Sequence, residues 1–159
     1  MAEKRWLTPV QQRTWLNYMG VYHRLEYEMN RQLQAECGLS LPDYAVMNAL
    51  SNAPGRRLQL STLATTIGWE LSRLSHHLQR MAKRGLVDRV RSDVDGRATD
   101  AVLTDEGWKA LRAAAPKHVA WIRRLFFSDL SDDRAGQLAD LLAGVYASLL
   151  REGTLPAPE

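Results

Sequence analysis

The sequence of 159 residues contains one cysteine and no long apolar run. One cysteine excludes an intramolecular disulfide framework, and alone it makes no thiolate zinc site. No stretch approaches the ~18 apolar residues of a membrane span. The N-terminus, Met1-Ala2-Glu3-Lys4-Arg5-Trp6, has no apolar stretch behind its charges, which argues against a signal peptide. There is no internal repeat and no low-complexity segment. A glycine-rich phosphate loop, a metal-spaced cluster and a histidine near the cysteine are all lacking, so nothing supports an enzyme. The expectation is a cytoplasmic protein with no cofactor, no metal and no membrane partner, about one ordinary domain long.

What is present is a globular composition, with 45% hydrophobic and 25% charged residues. The net charge of +3 is weak evidence for any partner, but its distribution is uneven. Residues 56–97 hold nine basic side chains (Arg56, Arg57, Arg73, Arg80, Lys83, Arg84, Arg89, Arg91, Arg97) against four acidic ones (Glu70, Asp88, Asp93, Asp95), a balance of +5. The rest of the chain has 12 basic and 14 acidic residues, or −2. A positive block in a slightly acidic protein is the footprint of polyanion binding. A solvated charged face gives the same pattern, and charge alone does not separate the two.

Local signals divide the chain into helices. Thr8-Pro9-Val10-Gln11 combines a cap, a proline at the first helical position and a capping-box partner, and predicts a long first helix over 8–37 ended by Gly38. Met19, Tyr22, Met29 and Leu33 give it an apolar stripe. Its aromatics Trp15, Tyr18, Tyr22 and Tyr27 exceed what one helix needs. Ser40-Leu41-Pro42-Asp43 opens a second helix with an apolar face of Ala45, Val46, Ala49 and Leu50. Leu60, Leu63, Ala64 and Ile67 mark a third, closed by Gly68. Residues 70–84 form a fourth, stopped at Gly85. Residues 86–92 and 98–103 read as strands joined across Asp95-Gly96, a hairpin signal. Thr104-Asp105-Glu106 starts a fifth helix to about residue 127, with a kink expected at Pro116. Ser131 caps a sixth, with Leu138, Leu141, Leu142, Val145 and Leu149 on one side. The fold class is mainly α with a small β-hairpin wing.

Two short helices, a glycine turn and a hairpin make a winged helix-turn-helix order over 41–103. On the fourth helix, Leu71, Leu74, Leu78 and Met81 share one face at about 100° per residue. Ser72, His76, Gln79 and Lys83 lie opposite, flanked by Arg73, Ser75 and Arg80. Short or planar hydrogen-bonding groups near the helix start suit base edges, so Ser72, Arg73, Ser75 and His76 are assigned to the bases. Arg80 and Lys83 suit phosphates. His76 and His77 are adjacent, diverge by about 100° and cannot easily chelate one ion, which leaves His77 at the helix margin. In the wing, residues 93–97, Arg97 suits a minor groove, and Asp95 is placed to hold its guanidinium.

These runs together resemble one family. Leu60-Ser61-Thr62-Leu63-Ala64, Ser72-Arg73-Leu74-Ser75-His76-His77-Leu78, Lys83-Arg84-Gly85-Leu86-Val87, and Asp95-Gly96-Arg97 leading into Val102-Leu103-Thr104-Asp105-Glu106-Gly107 are similar to the MarR family of bacterial transcriptional regulators. The resemblance spans nearly the whole chain, residues 1–159 as one domain. It implies a homodimer built on helices 8–37 and 104–151, winged domains reading a pseudo-palindromic double-stranded DNA operator, repression, and release by a small aromatic or lipophilic ligand. It puts Ser75, His76 and Arg80 in the major groove and Arg97 at the wing. His76 stands where many members have arginine. A family pocket between dimer helices and winged domain would draw on Trp15, Tyr18, Tyr22, His23, Trp69, Trp108 and His118.

The helix pattern supports pairing independently. The first, fifth and sixth helices carry more apolar surface than a small winged domain covers, and Leu125, Phe126, Phe127 and Leu130 cluster at one end. Two alternatives stand beside ligand-released DNA binding. Some relatives of the family sense peroxide through a cysteine inside the first helix, but Cys37 falls at that helix's end with no second cysteine to resolve it. A winged helix can also bind protein, and a steep salt dependence separates the two.

Overall fold

The computed structural model describes residues 6–93 and 95–158. The expectation drawn from residues 1–5 lies outside these, as does Val94 in the hairpin connection. The order is α1 (Pro9–Cys37), α2 (Leu41–Ser51), β1 (Arg57–Gln59), α3 (Leu60–Ile67), α4 (Leu71–Lys83), β2 (Val87–Arg91), β3 (Thr99–Leu103), α5 (Asp105–Leu125) and α6 (Asp132–Glu152).

The caps are those the sequence signals. Thr8 Oγ1 accepts from Gln11 N, and Gln11 Oε1 accepts from Thr8 N. Ser40 and Asp43 repeat the same reciprocal pair on α2. Gly38 ends α1 at φ 65°, a left-handed conformation that costs glycine nothing. Glu70 and Arg84 are the caps of α4, so that helix is one residue shorter at each end than expected. α5 stops at Leu125 and runs through Pro116 without a break.

The three strands form one antiparallel sheet in the order β1-β3-β2. Val87 faces Leu103 and Arg91 faces Thr99 across the hairpin; Arg57 faces Val102 on the other edge of β3. The sequence reading missed β1, which is three residues long and has no alternation to reveal it. The hairpin exists, but its connection spans residues 92–98, and Gly96 does not use a positive φ. Its missing side chain instead makes room for Arg91, whose Nη2 would lie 3.3 Å from a Cβ there.

The core gathers α2, α3, α4, the sheet and the first half of α5. Val46, Met47, Leu50, Leu63, Leu74, Leu78, Met81 and Val87 are fully buried. Gly107 lets α5 approach the sheet: a Cβ there would sit 2.1 Å from Leu86 O. Outside this core the helices stand open. α6 buries no residue, and α1 buries only Gln32 and Leu33. Trp15, Leu16, Tyr18, Val21 and Tyr22 on α1 and Leu141, Leu142, Val145, Tyr146 and Leu149 on α6 are exposed. Contiguous exposed apolar faces of this kind mark interaction surfaces.

Candidate nucleic-acid interface

α4 is amphipathic in the manner a groove-reading helix requires. Leu74, Leu78 and Met81 are fully buried. Ser72, Arg73, His76, Gln79, Arg80 and Lys83 are exposed and Ser75 is half-buried. The helix carries three cations and no carboxylate. Two expectations need correction. Leu71 is 50% exposed, because it opens the helix nearly a turn ahead of Leu74 and the core does not reach it. His77 is buried, not marginal, and occupies the inward position between Leu74 and Leu78.

The outer cations are steered by rings. Arg73 places its guanidinium carbon 4.2 Å from the centre of the Trp69 ring. Trp69 meets His77 edge-on at 5.5 Å. Arg80 Nη2 is 2.9 Å from His77 Nδ1. Behind α4, Asp43 is 2% exposed and acts as a hub. Its Oδ2 accepts from Ser40 N at 2.9 Å and from Arg84 Nη1 at 2.6 Å. His77 Nε2 lies 3.0 Å from its Oδ1, an ion-pair distance at an angle too bent for a hydrogen bond. Burial alone would raise the Asp43 carboxyl. The His77, Ser40 and Arg84 contacts overturn that and hold it well below the usual carboxylate range. Arg84 Nη2 also reaches Gly38 O at 3.0 Å, tying the end of α4 to the end of α1.

The wing has a braced base and an exposed tip. Arg57 on β1 donates to Asp100 Oδ2 at 2.7 Å, to Asp93 Oδ2 at 2.6 Å and to Arg91 O at 3.1 Å. Arg91 donates to Gly96 O across the loop. Arg89 on β2 reaches Ser75 Oγ at 3.4 Å, linking wing and α4. Asp95 and Arg97 are exposed. Asp95 was expected to hold the Arg97 guanidinium; instead its Oδ1 accepts the Arg97 backbone N–H at 3.0 Å. The carboxylate shapes the turn through a bond two residues on, which leaves it facing the backbone. The bracing by Arg57 and the hub at Asp43 were missed. The Ser40–Asp43 capping box was legible, but its reuse by α4 depends on contacts 34 and 41 residues away.

The residues proposed for a ligand pocket fall in separate places. Trp15, Tyr18, Tyr22 and His23 form an exposed ladder on α1, with ring centres 5.2 to 6.4 Å apart. Trp69 supports α4. Trp108 carries Arg56 at 4.4 Å. His118 is buried, stacked on Trp121 at 6.0 Å and packed on Tyr44 at 4.7 Å, with Nδ1 2.9 Å from Gln32 Oε1. Gln32 Nε2 donates to Glu36, so the facing Gln32 oxygen accepts from His118 Nδ1–H. Burial lowers the His118 pKa, which favours the neutral ring. Burial likewise pushes the Cys37 thiol up, against a reactive thiolate. Among the described residues no group of three or more His, Cys, Asp or Glu is placed to hold a metal ion, and no helix is long and apolar enough to cross a membrane.

Comparison with known proteins agrees with this geometry. A family model described as MarR family matches residues 38–98. The transcriptional regulator HosA of Escherichia coli is 38% identical over 78 residues, 49% of this chain and 56% of HosA. The match thus spans little more than half the length of that relative. Sco3205, a MarR family transcriptional regulator from Streptomyces coelicolor solved in complex with DNA, is 35% identical over all of both chains, with a TM-score of 0.89. AbsC, a MarR family transcriptional regulator from the same organism, is 36% identical over 92% of this chain and 98% of its own, with a TM-score of 0.85. With this fold, this helix and this wing, the chain belongs to the MarR family of transcriptional regulators.

Proposed function

We propose that the protein is a cytoplasmic, homodimeric, sequence-specific DNA-binding repressor, one winged helix-turn-helix over 41–103 carried on paired helices 8–37 and 104–151. The observation that carries this is the outer face of α4, which presents three cations, two serines, a histidine and a glutamine without one carboxylate. Ser72, Arg73, Ser75 and His76 read bases in the major groove. Arg80 and Lys83 hold phosphates, and Arg97 enters the minor groove with Asp95 shaping its turn. Sco3205, similar over its whole length, was solved with DNA, which supports the same use here. The exposed apolar faces of α1 and α6 support a second copy as the partner that covers them. A small aromatic or lipophilic ligand binding among Trp15, Tyr18, Tyr22, His23, Trp69 and His118 releases the operator once two copies bring these rings together.

The test is selection of bound duplexes from a random pool, followed by affinity measurements over a range of salt. Wild-type affinity falls steeply and log-linearly with salt. Arg97→Ala weakens all sequences and lowers the slope by about one. Ser75→Ala and His76→Ala change which half-site is preferred. Uniform scaling of every sequence by these two would overturn the base assignment.

A further inference from the structure

The arginines at the two ends of α4's outer face both lean on rings, Arg73 on half-buried Trp69 and Arg80 on buried His77. Arg73 rests on Trp69, Trp69 rests on His77, and Arg80 bonds His77 directly. We propose that His77 is a positioning residue for DNA reading: wedged against Asp43, its Nδ1 accepts a hydrogen bond from Arg80 and fixes the direction in which that guanidinium is presented. The inference rests on the reading of α4 as the groove helix.

The chemistry of the partners assigns the proton. A guanidinium only donates, so Nδ1 at 2.9 Å from Arg80 Nη2 must offer its lone pair. The neutral ring then carries its hydrogen on Nε2, which is buried and faces Asp43 Oδ1 at 3.0 Å. Asp43 cannot swing away, since Ser40 and Arg84 hold its other oxygen. The edge-on contact with Trp69 limits rotation of the ring. Arg80 is exposed, with long rotatable methylenes, and loses rotamer freedom only where something holds it. His77 supplies that hold before DNA arrives. This is preorganisation of a contact, which improves affinity by lowering the ordering cost.

The experiment measures affinity for a fluorescent duplex carrying the selected half-sites, at constant salt. Five proteins are compared: wild type, Arg80→Ala, His77→Leu, His77→Asn and the double variant His77→Leu/Arg80→Ala. Circular dichroism and unfolding midpoints check that each is folded. Asparagine puts a carbonyl oxygen near the Nδ1 position and does not titrate. Arg80→Ala and His77→Leu each weaken binding about three- to tenfold, and the double variant is no weaker than Arg80→Ala. His77→Asn recovers most of what His77→Leu loses. Ring-nitrogen NMR of the wild type, independent of any variant's folding, finds the proton on Nε2. Additive losses in the double variant, or a proton on Nδ1 at neutral pH, overturn the proposal. If Arg80→Ala binds like wild type, the DNA role of Arg80 fails first. If Arg80→Ala weakens binding and a folded His77→Leu does not, the positioning role alone fails.

Discussion

Replacing Asp43 by asparagine keeps the side chain's shape and removes its charge. The native carboxylate accepts from Ser40 N and Arg84 Nη1 on one oxygen and faces His77 Nε2 on the other. An amide has one oxygen, so at least one of these donors meets an NH2 instead. The Ser40 cap bond is worth about 1 kcal/mol. Arg84 is 44% exposed, and solvent screening limits its pair to about 1 kcal/mol. His77 Nε2 makes no hydrogen bond to Asp43, so it adds little to the sum. Asp43→Asn retains part of the other two contacts, so the expected loss is about 1–2 kcal/mol, or about 3–6 °C in Tm for a chain of this size. The pH dependence gives the prediction its sign. The folded carboxyl titrates well below its unfolded value of about 3.9, so its contribution is complete above that value and is lost as the pH falls through it toward the folded one. The gap between wild type and Asp43→Asn is therefore full at pH 7 and narrows below about pH 4. His118, held neutral by burial, weakens both proteins alike in acid and drops out of the difference. Urea denaturation at fixed protomer concentration measures the gap. A gap under about 0.5 kcal/mol at pH 7, or one constant down to the acid limit of folding, refutes the reasoning.

Three other outcomes follow from the structure. Gly107→Ala puts a methyl 2.1 Å from Leu86 O, a carbonyl already fixed by Thr104 N and Oγ1, and lowers stability by about 2–3 kcal/mol; an unchanged urea midpoint contradicts this. The double change Leu142→Glu/Leu149→Glu puts charge on the open α6 face and gives a monomer in sedimentation, whereas a persistent dimer would place the partner elsewhere. Peroxide leaves DNA affinity unchanged in wild type and in Cys37→Ser alike, since burial raises the thiol; a loss in wild type that Cys37→Ser abolishes would restore the redox reading.

Signals that act within a few residues were legible in the sequence. Thr8 with Gln11, Ser40 with Asp43, Thr104, Ser131 and Gly38 each mark a helix end that the structure shares, because capping is settled within one turn. The hairpin and the inward leucines of α4 were legible for the same reason. What was not legible depends on distant partners. β1 exists only because Arg57–Gln59 pairs with β3, some 40 residues later. The burial of His77 follows from its contacts with Asp43 on α2 and with Trp69, and the exposure of Leu71 from its place at the helix start, beyond the core. Asp95 was read as a charge beside a charge, and the nearer backbone N–H of Arg97 won. The aromatics of α1 show a pattern without its purpose, since a single chain holds nothing to cover them.

α1 behaves as a lever held at one end. At about 1.5 Å per residue its 29 residues reach about 44 Å. The attachments gather in its last turns, where Leu33 is buried, Gln32 bonds His118, Lys117 bonds Glu36 O and Arg84 bonds Gly38 O. A push of about 4 Å at the far tip is thus a tilt of about 5° about a fulcrum at Gly38. The Gly38 end is tied to the C-cap of α4 by Arg84, and through Ser40 and Asp43 to the same arginine, so the long arm of α1 and the base of α4 share one anchor.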